Sequence, residues 1–110
     1  MTLKITENLP VNWQDITAET LAGTRGHATV RTQQFDNFKI RKLEFSANYE
    51  ADHWCSKGHI IQVVTGELII LNQDQSQFVV AAADTVVLGD DVVAHKALTK
   101  IETSVLIIDF

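Results

Sequence analysis

The sequence predicts an all-β protein, a single antiparallel β-barrel or jelly roll of two facing sheets. Three observations carry that expectation. From Phe38 onward the chain is a succession of short segments rich in Val, Ile, Leu, Thr and Phe, residues that suit a half-buried pleated surface. Turn-forming Gly, Asn, Asp and Gln separate them at Thr65-Gly66, 72–75, Ala83-Asp84 and 89–91. No apolar repeat at helical spacing runs through the region.

In chain order, residues 1–37 read as an N-terminal extension with the first strands, and 38–110 as the core of one domain spanning 1–110. Within the extension, Asn12 can cap a short helix over 12–22 with Trp13, Ile16 and Thr20 on one face. The stretch also holds several poor helix formers and stops at Gly23, so helix and non-helix both stay open. The core then offers seven candidate strands, at 38–46, 59–65, 67–71, 77–81, 85–88, 92–96 and 104–110. In the first of these Phe38 and Ile40 share one parity and Leu43 and Phe45 the other, which a β-bulge near Arg41-Lys42 would reconcile. The connections are too short for parallel crossovers, so neighbouring strands are expected to be antiparallel.

Composition narrows the functional classes. A chain of 110 residues, 45% apolar and 21% charged, sustains one hydrophobic core and is not of disordered type. Its net charge of −5, with no Lys/Arg cluster, disfavours nucleic acid as a partner. No apolar run approaches the roughly 20 residues of a membrane-spanning helix, so no membrane association is expected. Cys55 is the single cysteine, and the first ten residues lack a basic segment followed by an apolar one. A cytoplasmic address is the resulting expectation.

The chemistry concentrates in Ala51-Asp52-His53-Trp54-Cys55-Ser56-Lys57-Gly58-His59, where three strong metal ligands fall within seven residues. In an extended chain His53 and Cys55 share one side, with Asp52 and Trp54 on the other. Gly58 permits a bend, after which His59, Ile61 and Val63 can face the same interior. His95, in Val92-Val93-Ala94-His95-Lys96, returns to the others only through the fold. The expected metal set is therefore His53, Cys55, His59 and His95. Each also has a plain reading: a small or polar residue at a strand edge, or a partly exposed histidine. His27 has no partner at chelating spacing and reads as structural or surface. Trp13 and Trp54 read as packing residues, and Arg31 and Arg41 as a solvated strand face or a carboxylate clamp. Asp52 supports the site indirectly or caps a turn. Cys55 as a nucleophile with a histidine base is a separate reading, for which the sequence names no third group to orient the base.

The spacing resembles the first cupin motif, with His53 at the first His place, Cys55 at the second, His59 at the Glu place and Gly66 at the Gly place. His95 matches the histidine of the second motif, although Val92-Val93-Ala94 replaces the usual Pro-x-Gly. More narrowly, Asp52-His53-Trp54-Cys55 followed by Lys57-Gly58-His59 looks like the small bacterial DHCW-motif cupins, over about residues 38 to 110. The resemblance implies a cupin-type barrel with a divalent transition metal in its mouth. Thiolate and imidazole in place of imidazole and carboxylate make the donor set softer, so zinc leads, with iron, nickel or copper behind it. A metal-dependent enzyme acting on a small molecule, a ligand- or metal-sensing module, and a barrel stapled by a structural metal are the three functions to separate. A homodimer is expected from the resemblance and from apolar residues, Ile60, Val64 and Leu68, read as facing outward.

Overall fold

Alternation of buried and solvent-facing side chains along each strand decides which face meets the core. On β5 (His59–Thr65) the buried positions are His59, Ile61 and Val63. On β10 (Thr103–Asp109) they are Thr103, Val105 and Ile107, and on β4 (Lys39–Phe45) Leu43 and Phe45. These three strands are neighbours in the order β4-β10-β5 and present one apolar inner face. A computed structural model describes this arrangement for residues 8–110, together with the backbone of Thr2 and Leu3.

The remaining strands among the described residues are β1 (Thr2–Leu3), β2 (Glu19–Ala22), β3 (His27–Phe35), β6 (Glu67–Asn72), β7 (Gln77–Ala81), β8 (Thr85–Leu88) and β9 (His95–Leu98). One sheet runs β1-β3-β4-β10-β5-β8, with β2 also paired to β3, and the other runs β7-β6-β9. Pairing is antiparallel throughout except between β1 and β3. The sheets face one another as a jelly roll, which is the expected all-β architecture. Val63, Leu68, Ile70 and Val105 are fully enclosed between them, each contributing on the order of 1.5–3 kcal/mol through burial. No helix among the described residues is long and apolar enough to cross a membrane.

Several expectations need correction. Residues 12–22 form a single 3-10 turn at Trp13–Asp15, then β2, which pairs with His27–Val30 through a turn closed by Gly23 and Gly26. Pairing with β3 outweighs the weak helical pattern. No bulge interrupts β4, whose register with β3 and β10 is continuous; Ile40 simply lies on the outer face opposite Ile108. The irregularity falls instead between Ser104 and Val105 on β10. The strand expected at 92–96 begins at His95, and Val92 lies in an exposed loop beside Asp91, whose φ is 53°. Short connections do not always join sheet partners either, because β5 and β6 meet at Gly66 yet belong to different sheets. That crossing turns Leu68 into the core, so it is not an outward residue.

Candidate metal centre

Following the inner face of β4, β10 and β5 toward one end, the apolar residues give way to polar ones. Inward parity continues from Phe45 and Leu43 to Arg41, from Val105 and Ile107 to Asp109, and from Val63 and Ile61 to His59. Arg41 Nε and Nη2 donate to Asp109 Oδ2 and Oδ1 at 2.5 and 2.9 Å. His59 Nδ1 lies 2.5 Å from Asp109 Oδ1. On the other side of the ring, His59 Nε2 is 3.4 Å from Cys55 Sγ. The His95 ring meets His59 edge-on, with centroids 5.4 Å apart at 88°.

Two of these side chains are registered by main chain. Cys55 N donates to His95 O at 2.8 Å and His95 N to Cys55 O at 2.9 Å, an isolated bridge between the loop before β5 and the first residue of β9. Gly58 lets that loop pass β8, since a Cβ there would lie 2.7 Å from Leu88 O. Its amide donates to Asp90 Oδ1 at 2.5 Å, tying the loop to the segment before β9.

The structure therefore brings Cys55, His59 and His95 together, with one potential ligand atom from each and all within 4.8 Å of one another. His53 is not in that group. The chain bends at Asp52 and His53 instead of staying extended, so the expected alternation fails there. The His53 ring, 77% exposed, pairs through Nδ1 with Asp52 Oδ1 at 2.7 Å while lining the mouth of the same cavity. Trp54 packs under the Lys96 ammonium, 4.7 Å from its ring centre. Arg31 binds the Ile16 carbonyl at 3.1 Å, and His27 is exposed. Arg41 is not a solvated strand face: Asp109 takes its Nε and Nη2 donors, and the residue lines a cavity shared with the trio.

Sequence reasoning missed Asp109, the carboxylate behind His59. The signal was present: stepping by twos from Val105 places Asp109 on the core face, an unusual position for an acid. Burial alone pushes the Asp109 carboxyl up, but the hydrogen bonds from His59 and Arg41, with their charges, outweigh it and hold it at about 2. Burial, followed by the neighbouring charge of His59, lowers His95 below its ordinary range against an opposing backbone contact at Val93. His95 is thus biased toward the neutral imidazole that metal binding requires.

The trio opens on a cavity of about 160 Å³ whose wall is mostly apolar, including Leu43, Phe45, Ile61, Ile70 and Ile107. A larger groove, about 410 Å³, lies elsewhere on the outer face, along Thr29, Glu44, Ser104 and Thr65, and holds none of the trio. A thiol and two imidazoles at this spacing suit a borderline-soft transition metal.

The chain has the cupin fold. No protein-family model matches the sequence, and no curated protein matches it. Solved structures do. The polyketide cyclase RemF from Streptomyces resistomycificus superposes with a TM-score of 0.74 at 19% identity, covering 94% of this chain and 79% of its own. An RmlC-like cupin from Shewanella frigidimarina gives 0.75 at 16% identity, covering 94% and 90%. A predicted oxalate decarboxylase from Thermotoga maritima gives 0.71 at 10% identity, covering 91% and 96%. At these identities the likeness concerns the fold.

Proposed function

We propose that this protein is a cupin-type metal protein, one domain over 1–110, that binds a small molecule beside a transition metal, zinc first, held by Cys55, His59 and His95. The carrying observation is the mutual approach of these three donors, within 4.8 Å, at the inner end of a mostly apolar cavity. Similar folds serving a cyclase and a described decarboxylase support small-molecule chemistry. When bound, such a metal polarises an oxygen of the ligand or activates water. The apolar wall excludes bulk water and receives the ligand's carbon skeleton, while His59 and His95, backed by Asp109 and by the Cys55 bridge, keep their rings facing the cavity.

His53 is the fourth donor of the sequence expectation, and its exposed place at the mouth decides between two versions of the site. Three protein ligands leave a coordination position open, as an enzyme needs; recruitment of His53 closes the shell, as a structural or sensing site would have it. Elemental analysis of the purified protein beside Cys55→Ala and His53→Ala variants tests this directly. The expected result is about one metal ion per chain in the wild type, loss in Cys55→Ala and retention in His53→Ala. Equal loss in both variants favours the closed site, and a metal-free wild type ends the proposal.

A homodimer is proposed on the outer apolar face of the first sheet, where Ile60 lies beside Val87 and Ile108. Val87 is 70% exposed and Val64 57%. Val87→Glu should convert the dimer to a monomer in sedimentation. A cytoplasmic address, which keeps Cys55 reduced, completes the reading.

A further inference from the structure

We propose that Asp109, clamped by Arg41, is the positioning residue of this centre: it fixes the His59 ring with its proton on Nδ1, leaving the Nε2 lone pair directed at the shared metal position. The inference rests on the metal reading above for its consequence, but its geometry stands alone. An ionised carboxylate only accepts hydrogen bonds. Asp109 Oδ2 and Oδ1 are taken by the Arg41 fork, and Oδ1 also meets His59 Nδ1 at 2.5 Å. Nδ1 must therefore be the donor, and in the neutral ring Nε2, 3.4 Å from Cys55 Sγ, is the acceptor.

Three adjacent strands build this relay, Arg41 from β4, Asp109 from β10 and His59 from β5, all from the inner face. Side-chain exposures of 22, 15 and 11% keep water from replacing any link. Among the described residues no carboxylate backs His95 in this way; the main-chain bridge to Cys55 places it. The two imidazoles are thus held by different devices, and damage to one need not disturb the other.

Asp109→Leu separates the devices. The leucine offers no acceptor, so His59 Nδ1 loses the partner that holds its proton. The neutral ring then goes over to the Nε2–H form ordinarily favoured in water, where the proton blocks the metal-facing lone pair. Long-range proton–nitrogen NMR on the metal-free proteins, at mildly alkaline pH, reads this tautomer. The wild type should show His59 protonated on Nδ1, and Asp109→Leu should show it on Nε2 with His95 unchanged. Competition for zinc against a colorimetric chelator should show affinity about 10- to 100-fold weaker in Asp109→Leu. Asp109→Glu, which keeps a carboxylate acceptor, should recover the wild-type tautomer and part of the affinity.

His59 protonated on Nε2 in the wild type overturns the assignment outright, whether or not any variant folds. So does an unchanged zinc affinity in a folded Asp109→Leu protein whose wild type binds zinc. A wild type that takes up no zinc defeats the metal reading instead, and the tautomer measurement still decides the role of Asp109.

Discussion

Asp109 is a residue on which burial and pairing pull in opposite directions, and pairing wins. Its carboxyl is lowered from 3.8 to about 2. A folded value below the unfolded one means that its stabilisation is complete above pH 3.8 and fades as pH falls from 3.8 toward 2, where the unfolded chain takes up the proton first. The difference corresponds to about 2 kcal/mol. Urea unfolding of the metal-free protein at pH 6, 4 and 3 should show about half of that loss by pH 3, and Asp109→Asn should show a correspondingly flatter dependence. At this scale the proximity of Cys55, His59 and His95 was legible, because ligand-type residues at motif spacing stand out in a sequence. The position of His53 was not, since it rested on an extended chain that in fact bends at Asp52. The Arg41–Asp109 pair was half legible: parity places both inside, but their meeting depends on the β4–β10 register, which no local pattern encodes.

Two strands show how burial fixes the cost of change. β6 is enclosed on both faces, with Leu68, Ile69 and Ile70 consecutively buried, whereas β7 beside it is an edge strand with Val79 53% exposed. Ile70→Ala should destabilise by roughly 2–5 kcal/mol through its cavity, and Val79→Ala by about 0.5 kcal/mol or less, as measured by chemical denaturation. Between β5 and β6, Gly66 takes φ +81°, and an added Cβ would press on the Glu102 carbonyl and on Thr103 Oγ1. Gly66→Ala should therefore cost roughly 1–3 kcal/mol in the same assay. Strands 59–65, 77–81 and 85–88 were legible to the residue, because β-branched runs met clear turn signals at both ends. β9 was displaced because it owes its form to β6, a partner distant in sequence, and β2 was ambiguous because its pattern also fits a short helix until the Gly23–Gly26 turn pairs it with β3.

At the level of the molecule, the sequence rhythm announced two facing sheets but not which strands would share one. Connection length constrains neighbours along the chain; it does not say that β5 and β6 part at Gly66 to opposite layers. Metal binding to the folded state alone should raise the melting temperature, with zinc at 100 times its dissociation constant contributing about 2.7 kcal/mol. Thermal melts with zinc and with chelator check this, and coincident curves would count against binding. The two reciprocal hydrogen bonds of Cys55 and His95 tie the chain entering the larger sheet to the first residue of β9 in the smaller one. Any breathing motion that parts the layers at this seam also draws a sulfur away from an imidazole, so loosening of the barrel would loosen any ion held between them. Those two amide protons, followed by deuterium exchange, are natural gauges of how firmly the seam is closed.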